Sequence, residues 1–116
     1  MLRFGHTSVG VQQGSAFLFS AFEDGGPMWT GTGPRIERVA VIFATSFRDM
    51  PLVHVGLSMW DISVQGNQRV DITAEEVTPA GFTLVFRTWG DTRVARVRAD
   101  WLAIGPAGHV DDFEVD

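Results

Sequence analysis

Several residue types and segments are missing from this sequence, and each absence excludes a class of protein. There is no cysteine, which excludes a disulfide framework, a thiolate metal site and a thiol nucleophile. No apolar run approaches the roughly 20 residues that a membrane-spanning helix needs, so we expect no membrane insertion. The first residues lack the apolar stretch and cleavage site of a signal peptide. We therefore expect a soluble chain that is cytoplasmic at synthesis, with later export or attachment to a particle left open.

Lysine and tyrosine are absent too, so all 9 basic residues are arginines, whose planar guanidinium groups suit bidentate contacts. The formal net charge is −5 and the isoelectric point is about 5.0, which argues against nucleic acid as a partner. A length of 116 residues, with 45% hydrophobic and 20% charged residues, is typical of one globular domain.

Apolar and polar residues alternate along most of the chain, whereas helical periodicity is weak, and this pattern predicts antiparallel strands. In residues 69–75, for example, Val70, Ile72 and Ala74 share one face. A turn at 77–81 then leads to another alternating segment, so the two strands form a hairpin. The other predicted inward rows are Val39, Val41 and Phe43; Val53, Val55 and Leu57; Phe82, Leu84 and Phe86; and Ala95, Val97, Ala99, Trp101 and Ala103.

The fold that buries all these rows is an all-β, six-stranded antiparallel β-sandwich in a single domain. Residues 1–35 are expected to supply an N-terminal strand or two, at about 10–22, and a surface loop rich in glycine and proline. Trp29 in that loop either packs back or meets a neighbour. Residues 36–105 form the predicted core, with a last strand that stops at 105–106. Residues 106–116 form an acidic tail.

The sequence offers little for catalysis. The three histidines lie far apart, no metal-ligand spacing is present, and His54 is expected to face outward from its strand. Glu75 and Glu76 are adjacent on a strand and point to opposite faces, so they do not form an acid/base pair. We expect no enzyme activity and no cofactor.

A binding role has better support at the turn centred on 90–91. Trp89 there is either a corner residue that closes the sandwich or a platform for the apolar face of a sugar ring. Arg69, at the start of the neighbouring strand, is either a polar partner for sugar hydroxyls or a surface arginine paired with Asp71 or Glu75.

Five blocks of residues carry a family resemblance, because they occur in one order and at matching spacing: Pro51–Ser58, Asn67–Val70, Val77–Phe82, Thr88–Thr92 and Val97–Ile104. By the order and spacing of these blocks, the chain resembles the H-type lectin family over residues 36–105. The resemblance implies a six-stranded sandwich that assembles as a trimer, sometimes stacked into a hexamer. It also implies sites at subunit interfaces for galactose-type sugars, particularly N-acetylgalactosamine.

The resemblance also assigns site residues. Arg69 matches the arginine that binds sugar hydroxyls, and Trp89 matches the aromatic residue of the site. Gly90 stands where histidine is found in the family, and Ala95 stands where a platform tyrosine is found. Thr32 lies near the position of a loop aspartate that reaches the sugar from a neighbouring protomer.

Two aspartates are candidates to replace that missing carboxylate, namely Asp91 and Asp61. The predicted carbohydrate-binding residues are therefore Arg69, Trp89, Gly90, Asp91, Ala95 and Thr32.

The last predicted strand has two different faces. Trp101 matches a family tryptophan and belongs to the inward row, so we expect it in the core. Arg96, Arg98 and Asp100 lie on the opposite face, which is either solvated or a seam between subunits.

The sequence leaves three candidate functions for this chain. The first is a lectin that binds glycans through several identical sites on a homo-oligomer. The alternative is a non-catalytic structural or attachment module of a phage-like particle or surface assembly, with a modified or lost sugar site. A glycan-processing enzyme comes last, because no convergent carboxylates are found.

Overall fold

The computed structural model describes residues 1–5, 8–21 and 25–108, and nearly all of its regular structure is β. The six predicted strands are confirmed, and a one-turn helix lies between the first two. The elements are β1 (Ser8–Ser20), α1 (Pro27–Thr30), β2 (Arg35–Ile42), β3 (Leu52–Ile62), β4 (Val70–Thr78), β5 (Gly81–Thr88) and β6 (Val94–Ala107).

The strands form two antiparallel sheets of three strands each. In the first sheet the order is β1-β6-β3, and in the second it is β2-β5-β4. The central strands β6 and β5 therefore have a neighbour on both sides. They also carry most of the fully buried side chains, because a central strand packed against the opposite sheet has no edge facing water.

The core contains the inward rows that the alternation predicts. Leu84, Phe86, Val97 and Ala99 are completely buried. Trp101 packs against this core as predicted, with its ring 5.7 Å from Phe43 and 5.6 Å from Phe82, measured between centroids. The glycine at position 14 of β1 is explained by this ring, because a Cβ there would lie 2.7 Å from the indole of Trp101.

Two details differ from the sequence-based prediction. The N-terminal segment forms a single strand, β1, in agreement with the one or two predicted, but the loop after it contains the helix α1. Trp29 of this helix packs back against the core, which is one of its two predicted roles. The last strand does not stop at 105–106 but runs to Ala107. Since β3 pairs with β6 only as far as Ile104, Pro106 has a strand neighbour on one side only. Such an edge position tolerates a proline.

The connections fall at two ends of the sandwich. Segments 25–34, 63–69 and 89–93 lie at one end, where β2 and β4 begin and β5 finishes. The 43–51 segment and the β4–β5 turn lie at the other end, where the amide of Phe43 donates to the carbonyl of Ala80. Residues 109–116, most of the predicted acidic tail, lie outside the described part of the chain.

Candidate functional site

The β5–β6 turn is anchored by two buried threonines, Thr88 and Thr92, which are 1% and 0% exposed. Between them, Gly90 has a φ of 70°, a left-handed conformation that favours glycine. A Cβ at this position would also lie 3.0 Å from Nη1 of Arg69. The missing side chain therefore allows Arg69 to lie directly against the turn.

The two threonines fasten the segment before β4 to this turn. The hydroxyl of Thr92 accepts from the amide of Arg69 at 3.0 Å and donates to the carbonyl of Asn67. The hydroxyl of Thr88 donates to the carbonyl of Arg69 at 2.6 Å. The backbone of 67–69 is thus fixed by hydrogen bonds on both sides, which sets the position of the Arg69 side chain.

The guanidinium of Arg69 is held by a carboxylate and an amide. Its Nη1 lies 3.0 Å from Oδ1 of Asp91. The amide of Asn67, with its oxygen turned toward the arginine, accepts from Nη2 and Nη1 at 3.1 and 3.3 Å. Oδ1 of Asp91 also accepts from the backbone amide of Asn67 at 3.3 Å. The partner of Arg69 is therefore Asp91, and not Asp71 or Glu75.

Trp89 lies beside this pair on the outer face of the second sheet. It directly follows Thr88, which pairs with Val70 on one side and Arg35 on the other. By continuation of this register, Trp89 lies between Arg69 and Pro34. Its side chain is 43% exposed, so it does not serve as a buried corner of the sandwich. A large and partly exposed aromatic residue therefore lies beside a cation and a carboxylate.

The glycine-rich loop before β2 lies against the same turn. Arg35 joins the two, because its Nη2 donates to the carbonyl of Gly90 at 3.2 Å while its Nε donates to that of Gly33 at 2.9 Å. The amide of Gly33 also donates to the carbonyl of Gly90 at 2.9 Å. Burial lowers the pKa of Arg35. Thr32, the predicted loop residue, is exposed and directly precedes Gly33.

Two of the candidate residues lie elsewhere. Ala95 is 4% exposed and therefore offers no surface to a ligand. Asp61 pairs with Arg96 of β6, with its Oδ2 3.3 Å from Nε, on the first sheet. The structure thus brings together Arg69, Trp89, Gly90 and Asp91, with the loop of Thr32 beside them.

The outer face of the second sheet next to this site carries its own ion-pair network. Arg87 lies 2.8 Å from Glu75, measured from Nη2 to Oε2, and 3.9 Å from Asp71. The hydroxyl of Thr73 donates to the carboxylate of Glu75 at 2.7 Å. These hydrogen bonds from Thr73 and Arg87 lower the pKa of Glu75. The charge of Arg87 is therefore neutralised locally.

Residues 1–5, 8–21 and 25–108 carry no sign of two other classes of site. No group of three or more histidine, aspartate or glutamate side chains is placed to hold a metal ion there. In the same ranges, no helix has the length and apolar character required to cross a bilayer.

Similarity to known proteins bears directly on the site. The sequence model of the H-type lectin domain matches residues 38–104. The chain belongs to the H-type lectin family. The matched range runs from β2 to β6 and contains the four residues that the structure brings together.

Relatives and solved structures agree with the H-type lectin assignment. The chain is 35% identical to a discoidin-1 protein of Dictyostelium discoideum over 75 residues, which cover 64% of this chain and 30% of that protein. Wild-type discoidin II of the same organism matches with a TM-score of 0.75 and 28% identity, over 85% of this chain and 37% of that one. Another discoidin II structure has a TM-score of 0.77 and 26% identity, over 93% and 40%. This lectin domain thus spans about a third of the discoidin chains.

A further relative matches along its whole length. It is a protein of Fuscovulum blasticum named for open reading frame 7 of the ATP synthase subunits region, 60% identical over 116 residues, which is all of both chains. Its name states no activity.

Sequence reasoning missed four residues that shape this candidate site, namely Arg35, Asn67, Thr88 and Thr92. Three of them lie within the blocks that carry the resemblance. Thr88 and Thr92 flank the turn symmetrically, and such hydroxyls at strand ends commonly bond to neighbouring backbone. Arg35 carries no comparable signal, because its partners are carbonyls from segments distant in the sequence.

Proposed function

We propose that this H-type lectin domain binds glycans non-catalytically at the site formed by Arg69, Trp89 and Asp91. The observation that carries the proposal is the exposed indole of Trp89 beside the ion pair of Arg69 and Asp91. The CH groups of one pyranose face pack on an aromatic ring, while the hydroxyls at its edge need polar partners. The site offers both kinds of contact on neighbouring residues.

The polar half of the site suits neutral hydroxyl groups. Asp91 uses Oδ1 for its contacts with Arg69 and Asn67, and no partner for Oδ2 is found in the described part of the chain. A carboxylate oxygen accepts from hydroxyl groups, whereas guanidinium nitrogens donate to them. Adjacent donors and acceptors of this kind match the vicinal hydroxyls of a sugar. Family membership favours galactose and N-acetylgalactosamine as the ligands.

The same proposal includes assembly into a homo-oligomer. A shallow sugar site binds weakly, because hydroxyl groups exchange water for protein at small net gain. Several sites on one rigid assembly raise the avidity by roughly 10²–10⁴. Family membership favours a trimer, with a stacked hexamer as the variant.

The outer face of the first sheet is the surface we assign to this assembly. Four large apolar side chains on this face are more than half exposed, which is unusual for a surface facing water. They are Val9, Val11, Phe17 and Leu52.

The charged row of β6 lies between these apolar residues, and its charges are satisfied within the chain. Arg98 donates from Nε to the hydroxyl of Ser58 at 2.9 Å, and Asp100 accepts from the hydroxyl of Ser15 at 2.7 Å. Arg96 pairs with Asp61. A second copy that covers this row would therefore meet charged groups that already have hydrogen-bond or ion-pair partners, and the apolar residues around the row supply the favourable burial.

A glycan array tests the proposal, with the wild type, Trp89→Ala and Trp60→Ala in parallel. Trp60 is a matched control, because it is 58% exposed and lies on the first sheet, in β3. We expect signals on galactose-type glycans that fall roughly tenfold or more in Trp89→Ala and persist in Trp60→Ala. Signals that survive Trp89→Ala would place the sugar site elsewhere on the molecule.

The attachment module is the second candidate, and one observation favours it. Ala95, which the resemblance matches to the platform tyrosine of the family, is an alanine and is buried, so it supplies no aromatic contact to a sugar. An array that stays silent, with the oligomer verified by light scattering, would reject the lectin proposal and leave this candidate.

A further inference from the structure

A cleft lies on the other side of Trp89 from Arg69. Its volume is about 310 Å³, at the lower end of the range for small-molecule sites. The lining consists of Pro34, Arg35, Ile36, Arg87, Thr88 and Trp89. We refer to this space as the Ile36 cleft. It shares the indole of Trp89 with the sugar site, so a ligand bound beside Arg69 can extend into it.

The arginines that line the Ile36 cleft have their polar groups engaged elsewhere. Each nitrogen of the Arg35 guanidinium donates to a backbone carbonyl oxygen, those of Gly33, Met28 and Gly90 among them. The guanidinium of Arg87 is held by the carboxylate of Glu75, with 2.8 Å between Nη2 and Oε2. These side chains therefore present mainly their methylene groups to the cleft.

The remaining lining is apolar or already satisfied. The hydroxyl of Thr88 donates to the carbonyl of Arg69, and Ile36 is a large apolar side chain that is 41% exposed. A hydroxylated or anionic group entering the cleft would give up its water without gaining equivalent hydrogen bonds. An apolar group gains contact with Ile36, Pro34 and the indole.

We propose that the Ile36 cleft is a subsite for an apolar substituent on the bound sugar, of the class of an aryl or alkyl aglycone. The inference rests on the proposed function, since the sugar beside Arg69 directs the substituent into the cleft. The volume fits a single ring or a short chain. Glycosides with an apolar aglycone therefore bind more tightly than the corresponding methyl glycosides.

The test compares methyl and 4-nitrophenyl glycosides of galactose and N-acetylgalactosamine by calorimetric titration of the intact protein. We expect the aryl glycoside to bind roughly tenfold more tightly in the wild type. Ile36→Asn should bring this ratio close to one, with the affinity for the methyl glycoside little changed. Ile42→Asn is the matched control, because Ile42 lies on the same strand and face but is 77% exposed at the far end of the sheet.

The outcomes separate this inference from the proposed function. If both glycosides bind but the ratio is near one in the wild type, or is unaffected by Ile36→Asn, the subsite is rejected and the lectin site stands. If the ratio falls equally in Ile42→Asn, the subsite is likewise rejected. If neither glycoside binds to the verified oligomer, the proposed function fails, and the subsite fails with it.

Discussion

The outer faces of the two sheets differ in chemistry although the sheets have the same number of strands. On the first sheet, β1 and β3 present exposed Val11, Phe17 and Leu52 to the surroundings. On the second sheet, the part of the outer face next to the site carries Arg87 and its ion pair with Glu75. An apolar face is stabilised by a protein partner, whereas a charged face remains stable in water. The two proposed roles follow this difference, with the proposed assembly surface on the first sheet and the proposed ligand site at the rim of the second.

The site itself lies at the end of the charged face and is built by the turn at 88–92. The backbone of Arg69 is held by hydrogen bonds with the hydroxyls of Thr88 and Thr92 of the same chain. Changes to the first sheet should therefore alter the oligomer, and changes to the turn should alter ligand binding.

The largest expected effect is that of Val11→Glu on the apolar face of the first sheet, where it should dissociate the oligomer. Val11 is 60% exposed in the single chain, so the fold tolerates the change. In an oligomer the glutamate would be buried without a partner, at a cost of several kcal/mol. We expect the mass measured by light scattering to fall to that of the 12.7 kDa monomer.

The control for Val11→Glu is Ile42→Glu, which places the same charge on the outer face of the second sheet. Its mass should equal that of the wild type. A Val11→Glu variant with the wild-type mass would show that the apolar face of the first sheet is not the interface.

Thr92→Val should have the next largest effect, and it acts on the turn alone. The buried hydroxyl accepts from the amide of Arg69 and donates to the carbonyl of Asn67, so its loss leaves both groups unsatisfied. The free energy of unfolding should fall by about 1–3 kcal/mol, and glycan affinity should fall with the oligomer unchanged. Urea denaturation and light scattering measure the stability and the oligomer, and the glycan array measures the affinity.

Thr83→Val serves as the control on β5, the strand that leads into the turn. Thr83 is half-buried, and no side-chain hydrogen bond of Thr83 is found within the described ranges. Its stability should change by less than about 0.5 kcal/mol. Equal losses in Thr92→Val and Thr83→Val would mean that the hydroxyl of Thr92 does not hold the turn.

The smallest expected effect is a loss of stability at low pH, to which a carboxyl group on each of the two faces should contribute. Hydrogen bonds from Thr73 and Arg87 lower the pKa of Glu75, and hydrogen bonds from Ser15 and Ser58 lower that of Asp100. A carboxyl group with a lowered pKa in the folded state adds stability above its unfolded pKa. This contribution is lost as the pH falls through the folded value.

The variants Glu75→Gln and Asp100→Asn measure this effect, one on each sheet. Each should lose less stability than the wild type when urea midpoints are compared between pH 7 and about pH 3, below the ordinary carboxyl pKa. If Glu75→Gln loses as much stability as the wild type over this range, its hydrogen bonds with Thr73 and Arg87 do not stabilise the fold.

The strands could be predicted because their signal is local. Alternation in 69–75 assigns Val70, Ile72 and Ala74 to one face, and the structure packs all three against the core. The end of β6 could not be predicted in this way. Proline and glycine at 105–106 usually stop a strand, but here they lie beyond the last residue that pairs with β3.

The candidate site was predictable only in part. Trp89 was predicted from its place at the turn and Arg69 from its place at the start of the neighbouring strand, and the family resemblance matched both; the structure places them at the ends of neighbouring strands. The pairing of Arg69 with Asp91 across 22 positions was not predicted, because the sequence favoured Asp71 and Glu75 on the same strand as partners. Arg35 was missed, because a side chain bonded to backbone carbonyls leaves no pattern of residue types.

By itself, the sequence determined the class of fold and the family, because alternation and ordered blocks are properties of neighbouring residues. It also excluded disulfide and thiolate chemistry, since there is no cysteine. Only the tertiary structure decided that Ala95 is buried, that Asp91 and not Asp61 meets Arg69, and which outer face is apolar. These outcomes depend on how strands distant in the sequence pair and on which side chains then share a face, and the chain order does not encode that directly.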